Sequence, residues 1–168
     1  PSHDYPNEKF TTEMICHVPE GMEALSNGRL VSQEKDEETG LVAYHWLQDK
    51  VHVNYLVTLV AGYFEKMAGQ PRDSPVALYV PPSEQEQLAN TFRDTIRIMD
   101  FFEKEIGVPY PWAKYYNACA IDYMMGGMEN TSLTTRTVGT LHSDASENLH
   151  SSRGLDAHEL AHQWFGDL

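Results

Sequence analysis

His158-Glu159-Leu160-Ala161-His162 is the stretch on which the reading of this chain turns. On a helix, residues i and i+4 lie on one face about one turn apart, so both imidazoles can reach a single metal ion. Zinc suits that donor pair, because a borderline-soft ion accepts imidazole nitrogen in a tetrahedral site. Glu159 stands about 100° around the helix from His158. It can flank a water that the metal activates, and take its proton, without being a ligand. A plain helix carrying two histidines stays open as the alternative, since five-residue patterns recur by accident. Ser151 or Ser152 offers this helix an N-cap, and Gly166 offers it a stop.

Moving back from His158, Gly126-Gly127-Met128-Glu129-Asn130 ends 28 residues earlier, with Glu129 29 residues away. Paired glycines let a backbone approach a ligand closely and expose amide and carbonyl groups with which an extended peptide can pair. Glu129 beside them can hold a cation. Taken alone, the same five residues also fit a tight turn with a solvated glutamate. Tyr115 to Tyr123 reads as a strand that these glycines break, and Gly139 to Asn148 reads as a polar loop. Further upstream, Ser83 and Glu86 have the spacing of a capping box. Leu88, Phe92, Ile96, Met99 and Phe102 then follow at helical spacing, a stripe of core packing that Gly107 and Pro109 terminate.

The first sixty residues read as β structure. Asn27-Gly28 between apolar runs predicts a type I′ hairpin, and Glu38-Thr39-Gly40 a second turn. Leu41 to Leu47 and Val51 to Val60 are strand-like; Val51, Val53, Tyr55, Val57 and Leu59 alternate as residues on one sheet face do. The longest apolar stretch, Tyr55 to Phe64, predicts a buried strand rather than a membrane span. Gly69, Pro71 and Pro75 punctuate a polar segment, either a domain boundary or a connection.

Composition narrows the classes. The 168 residues are 41% hydrophobic and 11% aromatic, as suits a folded globular chain. A formal charge of −13 argues against nucleic acid or an anionic membrane as partner, because phosphate binding needs the opposite sign. Cys16 and Cys119 are too few for a disulfide framework and read as two buried free thiols. No signal peptide is visible, but the chain begins at Pro1, so the compartment stays open.

The glycine-rich pentad and the histidine helix together resemble one family: the M1, or gluzincin, zinc aminopeptidases. The family's GxMEN motif is Gly126 to Asn130, and its zinc helix is His158 to Leu168, including Gln163-Trp164-Phe165-Gly166. Ser2-His3-Asp4-Tyr5-Pro6 with Lys9 resembles a late segment of the family's N-terminal β domain, and Gly62-Tyr63-Phe64-Glu65 its crossing into the catalytic domain. The fold implied is α+β: an antiparallel β portion over residues 1–64, then the start of a thermolysin-like zinc catalytic domain over 65–168. The resemblance implies that His158 and His162 bind Zn2+ and that Glu159 is the general base. Glu129 would bind the free α-ammonium of a peptide substrate. Gly126, Gly127 and Met128 would contact its backbone, with Asn130 completing the substrate-binding set. Some members have Ala or Ser where Gly127 stands, and often Asn where Asp167 stands. The family's third zinc ligand, a glutamate about twenty residues past the second histidine, would lie beyond Leu168. The expectation is therefore an incomplete site with weak or no activity, and surfaces prone to self-association. A thermolysin-type endopeptidase and a non-catalytic peptide- or metal-binding module are the readings against which this one is weighed.

Overall fold

Two long strands with alternating burial build the first layer. β1 (Lys9–Pro19) and β4 (Leu41–Val53) run antiparallel from Lys9 opposite Val53 to Pro19 opposite Leu41. β3 (Arg29–Lys35) pairs with the other edge of β4. Every second residue of β4 faces inward, so Val42, Tyr44 and Trp46 are buried. A two-stranded ribbon of β2 (Glu23–Ser26) and β5 (Leu59–Gly62) lies beside this sheet. The computed structural model describes residues 3 and 5–168, so Ser2 and Asp4 of the Ser2-to-Pro6 resemblance lie outside the described residues.

The second layer is a five-stranded mixed sheet. Its strands are β6 (Glu65–Ala68), β7 (Val76–Val80), β8 (Tyr115–Ala120), β9 (Gly127–Met128) and β10 (Leu133–Thr137), in spatial order β6-β7-β8-β10-β9. The central three are parallel, and the two edge strands are antiparallel to their neighbours. All five residues of β7 are buried, as a strand covered on both faces requires. One face packs Val76, Leu78 and Val80 against the helices α1 (Leu88–Phe92), α2 (Thr95–Ile106) and α3 (Arg153–His162), through Leu88, Phe92, Met99 and Leu160. The other face packs Ala77, Tyr79, Ala118 and Leu133 against Val18, Leu25, Tyr44 and Trp46 of the β portion. The α+β class stands, with one core shared between the two β layers. No helix among the described residues is long and apolar enough to cross a membrane. Both cysteines are free, Cys119 buried and Cys16 half-buried.

Several local expectations give way to tertiary structure. Asn27-Gly28 does not close a hairpin, because β2 pairs with β5 and β3 with β4. Gly28 does take a positive φ of 76°, but the Asn27 side chain reaches across the molecule instead of closing a turn. The hairpin lies one turn later, where Asp36 accepts from Gly40 and from the Thr39 hydroxyl between β3 and β4. The predicted strand over Val51 to Val60 is interrupted by a helical turn at Asn54–Leu56. Val53 and Leu56 are therefore buried while Val51, Tyr55 and Leu59 are exposed. The apolar stretch from Tyr55 contributes only the short, half-exposed β5. Gly69 to Pro75 is the loop of the β6–β7 hairpin, tied by Gly69 N to Val76 O, rather than a link between sheets. Ser83 and Glu86 form no capping box: Ser83 donates to Glu84, and the chain makes a 3-10 turn before α1. The apolar stripe does pack the core, but on two helices separated at Arg93–Asp94; Gly107, at φ 75°, ends the second.

Candidate active site

The histidine helix is fixed by its inward face. Leu160 fills the core, and Asp156 pairs with Arg136 of β10 while accepting from Thr95 Oγ1 of α2 at 3.0 Å. Burial pushes the Asp156 carboxyl up, and the Arg136 guanidinium pulls it back down. A buried pair of this kind stabilises little in net terms, but it is costly to break, since either partner alone would be a stranded charge.

The outward face carries the two imidazoles. His158 Nε2 and His162 Nε2 lie 3.2 Å apart, with the rings nearly perpendicular at 88°. Two nitrogens bound about 2.05 Å from one tetrahedral ion would stand about 3.3 Å apart, so the separation fits zinc. The Nδ1 of His162 faces the Phe165 carbonyl at 3.2 Å. A proton on Nδ1 satisfies that carbonyl and leaves the Nε2 lone pair free, the usual outer support of a ligating histidine. Among the described residues no third His, Cys, Asp or Glu gathers with them. These two residues therefore fit part of a zinc donor set.

Glu159 is 4% exposed, whereas His158 is exposed and His162 half-buried. Its Oε2 has no hydrogen-bond partner in the protein. Burial raises its pKa; the positive charge available at His158 lowers it, and the nearby Glu129 raises it again. A buried carboxylate with a free lone pair beside the two imidazoles has the chemistry of a proton acceptor. Gly127 presses directly on it. A Cβ at that position would sit 2.7 Å from the Glu159 Cδ, so the absence of a side chain lets the two motifs touch.

Gly127 and Met128 form β9, the edge of the five-stranded sheet, paired on one side with Thr135 and Arg136 of β10. Its outer edge has no strand neighbour among the described residues, so its backbone groups are available to an extended peptide. Gly126 is exposed and its carbonyl accepts from Thr137 N at 3.2 Å. Glu129 is half-buried, while Asn130 turns inward and its Oδ1 accepts from Thr135 Oγ1 at 3.0 Å.

The chain leaving Glu129 is held from both layers. Ser132, the only non-glycine with positive φ among the described residues (65°), is fully buried. Its hydroxyl accepts from Gly28 N at 2.7 Å and from Lys114 Nζ at 3.2 Å. Asn27 donates to Thr131 O at 2.6 Å and to Leu56 O at 3.0 Å, and accepts from Thr58 N. Lys114 also donates to Ser26 O at 2.8 Å and lies 4.8 Å from the Trp46 ring centre. Burial drives its ammonium pKa well down. From the helix side, Gln163 bonds to both Glu129 O and Ser132 N. Asp167, where the resembling family often has Asn, accepts from Gln163 Nε2 at 2.9 Å. Burial, reinforced by Glu129, pushes its pKa up to about 8. The bracing role of these residues is not visible in the sequence: Ser132 and Lys114 belong to no motif, Asn27 stands out only as a turn signal, and Gln163 only as part of the run that continues the histidine helix.

Residues 90–168 match the family described as Peptidase family M1 domain. The whole chain is 30% identical to Aminopeptidase M1 of Arabidopsis thaliana and spans 20% of that protein. It is 28% identical to Leucyl aminopeptidase of Saccharolobus solfataricus, over 22% of its length, and 32% identical to Aminopeptidase N of Acetobacter pasteurianus, over 48%. The chain thus spans between about a fifth and about half of these relatives.

Proposed function

Because the chain belongs to peptidase family M1, we propose that it carries the zinc-ligating histidines, general base and amine anchor of an aminopeptidase. Such an enzyme releases N-terminal residues from peptides. The observation that carries this reading is the convergence of His158 and His162 at 3.2 Å on the same side as a buried, unpartnered Glu159 that touches Gly127. In this reading residues 1–64 close an N-terminal β domain and residues 65–168 open a thermolysin-like catalytic domain.

His158 and His162 would hold the zinc ion, which when bound supplies Lewis-acid polarisation of the scissile carbonyl. The outer edge of β9 pairs with the substrate backbone and aligns it. The Glu129 carboxylate binds the α-ammonium, an ion pair strengthened by partial burial. Glu159 takes a proton from the attacking water as its oxygen bonds to the carbonyl carbon. It then returns that proton to the leaving amide nitrogen as the C–N bond breaks.

The test is hydrolysis of an aminoacyl anilide and of its N-acetylated twin by the longest natural form of the polypeptide, with zinc supplied. Cleavage of the free amine alone is the expected result. Equal cleavage of both would replace the exopeptidase reading with an endopeptidase one. Zinc binding without cleavage of either would leave a binding module.

A further inference from the structure

We infer that Gln163 is a positioning residue for the amine anchor: its side-chain amide ties the backbone at Glu129 to the histidine helix and fixes the span between them. This rests on the aminopeptidase reading above, and it concerns what sets the distance from the bound α-ammonium to the scissile bond.

A primary amide has two donor hydrogens and an oxygen with two lone pairs. Gln163 is fully buried and uses all four. Its Nε2 donates to Glu129 O at 3.0 Å and to Asp167 Oδ2 at 2.9 Å. Its Oε1 accepts from Ser132 N at 2.9 Å and from the Tyr110 hydroxyl at 2.9 Å. Two of these bonds grip the chain at Glu129 and at Ser132, the residue whose left-handed backbone turns the chain away from the anchor. The third, to Asp167, closes a loop within the segment that follows the helix. No other side chain of similar length offers both bonds to the anchor at once. Glutamate in its ionised form lacks the donor, and methionine lacks both.

The position on the helix matters as much as the chemistry. Gln163 immediately follows His162, so any movement of one carries the other. The residue gripped, Glu129, is 34 positions away in sequence. The backbone of the residue that would hold the ammonium and the helix whose imidazoles would hold zinc are therefore tied directly to each other by this amide. An aminopeptidase differs from an endopeptidase in needing that separation to match one residue of substrate. A misplacement of about 1 Å can cost about a hundredfold in rate.

The experiment compares wild type with Gln163→Met in the longest natural form of the polypeptide, zinc-loaded, on the aminoacyl anilide and its N-acetylated twin. Met has similar length but makes none of the four bonds. The expected result is a rise in KM for the free amine of about tenfold or more, with a matching narrowing of the preference over the acetylated twin. Bound zinc per chain stays at the wild-type level. Met99→Ala, a core truncation remote from these bonds, serves as the stability control: it lowers Tm and leaves the preference unchanged. A folded Gln163→Met that keeps the wild-type preference would overturn the inference. So would a Met99→Ala that narrows the preference as much. Should Gln163→Met fail to fold, Gln163→Asn decides, since it keeps the amide but shortens its reach by one methylene and should raise KM in the same sense. A wild type that does not prefer the free amine would instead refute the aminopeptidase reading.

Discussion

The two halves of the site are held by opposite kinds of structure. The histidine pair is local: four residues of helix set the 3.2 Å between the two Nε2 atoms, and the neighbouring Phe165 carbonyl orients one ring. The chain at Glu129 leans chiefly on contacts remote in sequence. It is gripped by Gln163 from one side, and by Asn27, Gly28 and Lys114 from the other, with Asn27 standing 104 residues from Thr131. The lesson is that one half is specified by a period and the other only by the completed fold. Mutations should separate them.

The hardest blow falls on the local half. Glu159→Gln keeps the shape of the side chain and removes its basicity, and kcat should fall by about a thousandfold with zinc content unchanged. Steady-state kinetics alongside metal analysis reads both, and a loss smaller than tenfold would deny Glu159 the role of base. Asp156→Asn attacks the joint between the halves, leaving the Arg136 guanidinium buried without its counter-charge. Stability should drop by about 3 kcal/mol, seen as a large fall in the urea midpoint. A near-neutral change would mean that the pair is hydrated or dispensable. Asn27→Ala breaks the remote half at its far end, stripping partners from Thr131 O, Leu56 O and Thr58 N. About 1–3 kcal/mol should be lost. Hydrogen exchange should quicken at the amides of Thr131 to Leu133 more than at those of α3; uniform loosening of both would erase the distinction drawn here.

The smallest effect is one of pH and belongs to the β portion. Burial lowers the pKa of His52, in β4, from 6.5 to about 4. The unfolded chain takes up a proton near 6.5 and the folded chain only near 4. Protonation therefore favours unfolding through that window. The stability is fully present above 6.5 and is lost as the pH falls toward 4, with about 2 kcal/mol gone by pH 5. Urea titrations at pH 7 and pH 5 measure the loss, and His52→Gln should flatten the difference. If the wild type shows no fall, His52 is not held neutral.

Legibility in the sequence follows the same division. His158, Glu159 and His162 could be placed on one helix because 3.6-residue periodicity needs nothing beyond the helix itself. Gly107 could be read as a helix stop because its positive φ is a local demand. Asn27-Gly28 satisfies the local demand as well, with Gly28 in the left-handed region, yet it is no hairpin. The turn signal reports backbone preference, whereas strand pairing is decided by which edge offers the larger buried face. Ser83 and Glu86 fail for a related reason: Pro82 opens a 3-10 turn ahead of α1, and the Ser83 hydroxyl bonds to Glu84 instead. The parallel trio β7, β8 and β10 left no trace in the pattern beyond short apolar runs, since parallel partners meet only after a crossover. Gln163 shows the limit most sharply. Its identity is plain in the sequence, but its four partners come from three separate segments of the chain.

The 104-residue separation between Asn27 and Thr131 also bears on the order in which the molecule forms. Helical turns close in well under a microsecond, whereas contacts between distant segments wait on the closure of long loops and come last. The two imidazoles can thus be neighbours while Glu129 still wanders. On the proposed reading, the pair that would hold the metal is set early by one turn of helix, and the residue that would recognise the end of a peptide is set late, by the meeting of distant segments.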